Sequence, residues 1–131
     1  MQNENYELLR RGYDAFMAGD METLKNEIFA SDIVWHTPGN NPTSGDRNGA
    51  DSVLELFGKY FELTDSTFRV EVHDLLASDD HAVVLGKVYG QRKGQSIPED
   101  YVQVTHVRDG RISESWIVAV DQKGTDDFFN A

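Results

Sequence analysis

An imidazole, an indole, a hydroxyl and a Pro-Gly turn fall together in Trp35-His36-Thr37-Pro38-Gly39. Imidazole gains and loses a proton near neutral pH, so His36 is a candidate general acid or base. The segment closes a short strand, Asp32 to Thr37, and a strand end is a usual place for a small-molecule pocket. Strict alternation puts Ile33, Trp35 and Thr37 on one face and Val34 with His36 on the other. If Trp35 and Thr37 face a cavity, His36 points away from it unless the strand bulges before Pro38. His36 then either lines the pocket or is a histidine hydrogen-bonded in the loop or at a subunit contact.

A second group of candidates comes from later strands. Tyr101, Gln103, Thr105 and Val107 share one face of a strand, and Val102, Val104 and His106 share the other. Apolar residues on both faces imply that both are covered, one by helices and a cavity, the other by a second subunit. We assign the Tyr101-Gln103 face inward, where Gln103 is a polar handle for a carbonyl or hydroxyl. His106 and His73 then point outward, and His81 opens a strand near solvent. In the last strand, alternation groups Trp116 and Val118 with Ile112 and Glu114 as a pocket wall. Tyr13 and Phe16 on the first helix, with Phe57 and Phe61 on the third, are placed to face that wall. Each aromatic alone is equally consistent with core packing; as a set they outline an apolar, aromatic-walled cavity.

Other chemistries lack their residues. The four histidines are far apart and form no metal-ligand pattern, so no metal site is expected. Gly45-x-x-x-Gly49 lacks the Lys and Ser/Thr of a phosphate loop, and no Gly-x-Ser-x-Gly is present. With no cysteine there are no disulfides and no thiol nucleophile. No cofactor is implied.

The 131 residues fit one domain, 1–131, long enough to bury a core without staples. Asp plus Glu number 23 against 12 Lys plus Arg, a formal charge of -11 that repels phosphate backbones and anionic lipid. The expected partner is therefore a small apolar organic molecule, with no nucleic acid and no membrane. The polar start Gln2-Asn3-Glu4-Asn5 has no apolar signal region, and no apolar run approaches the roughly 18 residues that cross a bilayer. The expectation is a cytoplasmic protein.

The elements that must position these side chains follow from periodicity. Leu8, Leu9, Tyr13, Phe16 and Met17 make one stripe of a helix over Asn5 to Ala18, stopped at Gly19. Asp20 caps a second helix, Met21 to Phe29. The strand to Thr37 is followed by a loop, Pro38 to Asn48, and a third helix, Ala50 to Leu63. Period-two segments then run from Thr67, from His81 to Tyr89, from Tyr101 to Arg108 and from Arg111 to Val120. Asp109-Gly110 is a hairpin turn, Gly90 to Pro98 a polar loop or frayed hairpin end, and Gln122 to Ala131 an acidic tail anchored by Phe128 and Phe129. Helices first and a meander of strands after them predict an α+β domain.

The pattern Tyr13-x-x-Phe16-x-Ala18-Gly19-Asp20 resembles the opening of the SnoaL-like branch of the NTF2-like superfamily, which also contains the ketosteroid isomerases. Ile33-Val34-Trp35-His36-x-Pro38-Gly39, Gly45-x-x-x-Gly49 and Arg108-Asp109-Gly110-Arg111-Ile112-x-Glu114-x-Trp116 are similar to its later motifs. The resemblance implies a cone-shaped, curved antiparallel sheet with three N-terminal-half helices packed against its concave face. It also implies a deep hydrophobic cavity and commonly a homodimer. It does not select an activity. The isomerase base before the proline is replaced by Thr37, the helix-one tyrosine falls on Gly12 with Tyr13 beside it, and the third-strand acid falls near Val102 or Gln103. Steroid isomerisation is therefore not expected. The Asp-Arg-Asp set of the epoxide hydrolases cannot be assembled. The branch's polyketide cyclases use a late aspartate as acid/base, and Asp121 is the residue placed for that part. Three readings stay open. In one, an enzyme uses Asp121 or His36 to move a proton while Tyr13, Gln103 or Trp116 holds the oxygen. In another, a binding domain uses the same cavity without catalysis. In the third, an accessory protein keeps a vestigial cavity.

Overall fold

The computed structural model describes residues 3–131. Helix α1, Glu4–Met17, starts where the Asn3 side chain accepts the Asn5 N–H. It buries Asn5, Leu8, Leu9, Gly12 and Ala15, a stripe at three- and four-residue spacing. The helix ends at Gly19, whose φ of 71° lets the chain reverse. Asp20 caps the next helix by accepting the Thr23 N–H and hydroxyl. The single second helix expected there is instead a short α2, Met21–Thr23, and a π-helical turn, Leu24–Ile28. The wider turn sets Ile28 and Phe29, both buried, against α1. Gly12 is the contact point, since a Cβ there would lie 3.2 Å from Ile28 Cγ2.

Strands β1 (Phe29–Thr37) and β2 (Gly45–Asn48) form a hairpin, and α3 follows over Ala50–Leu63. The antiparallel strands β3 (Arg69–Ala77), β4 (His81–Arg92), β5 (Gln95–Arg108) and β6 (Arg111–Ala119) complete one sheet in the order β2-β1-β6-β5-β4-β3. The expected cone is overturned by this order. The sheet is open, with β2 and β3 as edges, and it is not wholly antiparallel because β1 runs parallel to β6. Three further expectations are corrected. Part of the Pro38 to Asn48 loop is β2. Of the two readings of Gly90 to Pro98, the hairpin end holds, but it is paired rather than frayed, turned at Lys93-Gly94 with φ of 49° and 77°. The tail is a fourth helix, α4 (Gln122–Asn130), capped where Asp121 Oδ1 accepts the Gly124 N–H. Its Phe128 and Phe129 are buried beside Ile97, Tyr60 and Leu63.

The helices pack on one face of the sheet, where Ile33, Trp35, Leu75, Val84 and Ile112 meet α1 and α3 in the main core. Two β-bulges decide which residues reach that face. His73 interrupts the β3–β4 register and Ser113 the β5–β6 register. Each extra residue reverses the alternation beyond it. Past Ser113, therefore, Ser115, Ile117 and Ala119 face the helices while Glu114, Trp116 and Val118 face away.

Asn5 ties α1 to the far hairpin. Buried at the start of the helix, its Nδ2 donates to the carbonyls of Ser78 (2.8 Å) and Asp79 (2.7 Å). Asn5→Ala leaves both without that donor. It is expected to lower unfolding free energy by about 1–3 kcal/mol, read as a lower urea midpoint with an unchanged slope.

Candidate functional site

Between the helices and the sheet lies an apolar cavity of about 130 Å³. Helix α1 contributes Leu9, Gly12, Tyr13 and Phe16; β1 contributes Phe29, Trp35 and Thr37; α3 contributes Phe57 and Tyr60. Glu99, Tyr101 and Gln103 come from β5, and Ile112, Ile117 and Ala119 from β6. The far end is formed by the β1–β2 loop and α4, through Pro38, Asn41, Gln122, Thr125 and Phe129. Asp126 holds these two together by accepting from the Asn40 N–H (3.1 Å), Asn41 Nδ2 (2.7 Å) and Gln122 Nε2 (2.9 Å).

A row of polar groups crosses the apolar wall. The Tyr13 hydroxyl donates to Gln103 Oε1 at 2.5 Å and lies 2.7 Å from the Tyr101 hydroxyl. A hydroxyl has one proton, so with Tyr13 donating to the amide oxygen, Tyr101 donates to Tyr13. Gln103 Nε2 in turn donates to the Thr105 (3.1 Å) and Ser115 (3.2 Å) hydroxyls. Burial pushes the Tyr13 hydroxyl well above its usual pKa, with the neighbouring Tyr101 adding to it. Tyr101 is pushed up to about 12, again by burial first. The row is therefore neutral at physiological pH. Its geometry depends on Gly86, opposite Tyr101 on β4, because a Cβ there would come within 2.6 Å of the Tyr101 ring.

Thus Tyr13, Phe16, Trp35, Thr37, Phe57, Tyr101 and Gln103 meet at the cavity. Phe61 does not line it. It packs behind Phe16 (ring centroids 5.6 Å apart) and against Phe68 (5.9 Å), and Tyr60 takes the wall position. Trp116 and Val118 lie on the opposite face of the sheet, turned there by the bulge at Ser113. Asp121 projects its carboxylate to solvent at the start of α4. Sequence reasoning missed Glu99. It alternates with Tyr101, Gln103 and Thr105, a signal hidden by ending the strand at Tyr101. Only 8% exposed, it accepts the Asp121 N–H through Oε1 at 2.6 Å. Burial pushes its carboxyl above the usual range; the Asp121 N–H opposes this, and the charges of Asp121 and Asp100 add to it.

His36 points away from the cavity, as alternation with Trp35 requires. Its Nδ1 donates to Asp46 Oδ1 and its Nε2 to Glu114 Oε2, both at 2.7 Å. Both donations require the imidazolium, which also stacks on Trp116 at 5.1 Å. The Glu114 contact, and to a lesser degree Asp46, raises the His36 pKa against some desolvation. Among the described residues, no group of three or more His, Cys, Asp or Glu side chains could hold a metal ion. No helix of these residues is long and apolar enough to cross a membrane.

The SnoaL-like domain model matches residues 9–115, and the chain belongs to that family. The structure is similar to that of Bal32a, from a soil-derived mobile gene cassette. That pair is 32% identical, with 96% of each chain covered and a TM-score of 0.92. A protein of unknown function with a cystatin-like fold from Xanthomonas campestris is 29% identical, with 99% of this chain and 100% of that one covered and a TM-score of 0.88. IdmH, a candidate polyketide cyclase from Streptomyces antibioticus, shares the fold at 22% identity, covering 91% and 93%, with a TM-score of 0.74. No curated protein matches the chain.

A raised folded-state pKa means that His36 contributes stability fully below its unfolded pKa, near 6.5, and loses it as pH rises through the folded value. The stability gap between the wild type and His36→Asn is therefore expected to be widest near pH 6 and to close on the alkaline side. Urea unfolding of both proteins from about pH 5.5 to 9 checks this.

Proposed function

We propose that the chain binds a small, largely apolar molecule carrying one or two oxygens and converts it by cofactor-free acid/base chemistry, as an isomerase, cyclase or hydrolase. The observation that carries this reading is the polar row of Tyr101, Tyr13 and Gln103 inside a largely apolar, aromatic wall. Such a row adds nothing to apolar packing, but it orients a ligand oxygen and stabilises charge that develops on it. An apolar cavity of about 150 Å³ accommodates benzene, so the volume here suits a single ring. The kinship with IdmH supports the reading at the level of fold.

The alternative is a ligand-binding domain without turnover. It is favoured by the positions of the two acid/base candidates of the sequence, since neither His36 nor the Asp121 carboxylate reaches the cavity wall. In both readings we take the protein to be a homodimer through the outer face of the sheet. There Val102 pairs with Val118, and Val104 with Trp116. Val118 is 51% exposed in the single chain.

Binding is tested in a Trp116→Phe background, where Trp35 is the remaining indole. Its emission is expected to be quenched saturably by p-cresol or 4-hydroxyacetophenone. Ala119→Phe, which fills the cavity from β6, is expected to weaken that binding at least tenfold. Quenching that never saturates, or that ignores the filled cavity, overturns the reading. Native mass spectrometry tests the assembly: the wild type is expected at twice the chain mass and Val118→Lys at the single mass.

A further inference from the structure

We propose that Glu99 is the proton-transferring group of this pocket, a general base for small, planar carbonyl or phenolic substrates whose oxygen rests on the Tyr101 hydroxyl. The inference rests on reading the cavity as a small-molecule site. Glu99 is the ionisable carboxylate on the cavity wall. The ion pairs among the described residues all lie elsewhere, so no cation compensates it. Oε1 is held by the Asp121 N–H, the Val120 N–H also favours the charged form, and no side-chain hydrogen bond among the described residues reaches the carboxylate. An unpaired carboxylate in an apolar wall is a poor structural element, because burial disfavours its charge. The same desolvation makes it a strong base towards a carbon acid.

Glu99 and Tyr101 lie two residues apart on one face of β5, so their Cβ atoms are separated by about 7 Å. Both residues, a carboxylate and a hydroxyl, line the cavity. Gln103 sets the polarity of that hydroxyl. In the arrangement described, Tyr101 spends its proton on Tyr13 and offers lone pairs, which suits a phenol. If the Gln103 amide turns over, Nε2 donates to Tyr13, Tyr13 to Tyr101, and Tyr101 to a ligand oxygen. The Thr105 and Ser115 hydroxyls then donate to Oε1, giving up the bond between them. With a carbonyl substrate, Glu99 takes a proton from the carbon beside the carbonyl. The C–H electron pair becomes the enolate C=C bond, and the charge moves to the oxygen held by Tyr101. The Glu99 carboxylic acid then returns the proton to carbon, so nothing is oxidised or reduced.

The probe is 5-nitrobenzisoxazole, a planar compound whose C3 proton is removed by a carboxylate. The C–H pair completes a nitrile, and the N–O bond breaks to leave a yellow nitrophenolate. The wild type is expected to turn it over saturably. Glu99→Gln, which keeps an acceptor for the Asp121 N–H, is expected to lower kcat at least about 100-fold while leaving probe affinity unchanged and the melting temperature no lower than that of the wild type. The wild-type rate is expected to rise with one ionisation above the ordinary glutamate range, and that step is absent in Glu99→Gln. The groups facing Glu99 are Asp121 beyond β6, Asp100 and Tyr101 on its own strand, and the neutral Gln122 and Thr125 of α4; Asp100 pairs with Lys87 of β4 at 3.6 Å. Should Glu99→Gln fail to fold, Glu99→Asp shortens the reach by one methylene and is expected to lower kcat while retaining the pH step. An unchanged rate in the variant that folds overturns the inference. Saturable Trp35 quenching by the probe without turnover also overturns it but leaves the binding reading standing. If no ring compound binds, both fall.

Discussion

The hydroxyl of Tyr13 reaching from α1 to Gln103 and Tyr101 on β5 is the contact on which the rest of the site depends. It joins the N-terminal helix to the middle of the sheet through buried polar atoms, and such atoms are costly when left without partners. That cost is avoided along the whole row. Gln103 is satisfied at one end by Tyr13 and at the other by Thr105 and Ser115, all on the inward faces of β5 and β6. Apolar packing alone would let α1 slide or roll over the sheet, because burial is non-directional. The row fixes its rotation and holds the cavity open between Phe16 and the sheet. Gly12, a turn away, lets Ile28 approach, and Gly86 leaves space for the Tyr101 ring.

The inner and outer faces treat carboxylates in opposite ways. On the outer face, Asp46 and Glu114 clamp His36 and stabilise its cationic form. On the inner face, Glu99 has only backbone N–H groups and no cation. A protein with a formal charge of -11 has carboxylates to spare, so their number identifies nothing; what separates these three is desolvation and the charge of the nearest partner.

Much of this was legible in the sequence. Alternation placed Tyr101, Gln103 and Thr105 inward, and it turned His36 away once Trp35 faced in. The helix from Ala50 to Leu63 followed from its apolar spacing. The family was legible from its ordered motifs. What was lost has three physical causes. A bulge adds one residue to one strand without a compositional mark, so Ser113 reversed Trp116 and Val118 against strict alternation. Polar residues in a hairpin end also read as loop when their partners lie across the strand pair. Gly90 to Pro98 paired with its neighbour through Lys93-Gly94, and Glu99 was left outside the element that aims it. The open sheet and α4 belong to a third case, in which tertiary contact overrides local signal. Acidic, Gly-containing Gln122 to Asn130 forms a helix because Phe128 and Phe129 find a buried site against Ile97 and Tyr60.

Asp121 connects α4 to the carboxylate of Glu99. Its place at the end of the sheet made it the acid/base expected from the family resemblance, yet its carboxylate is spent on the Gly124 N–H that begins α4. Its backbone N–H, not its side chain, holds Glu99 Oε1. The same residue therefore starts the helix that forms one end of the pocket and aims the carboxylate on the pocket wall. A shift of α4 moves Asp121 and with it the orientation of Glu99. The latch formed by Asp126, Asn41 and Gln122 across the β1–β2 loop thus bears on the carboxylate as well as on the pocket end. In this arrangement the β1–β2 loop and the acidic group are both tied to one helix.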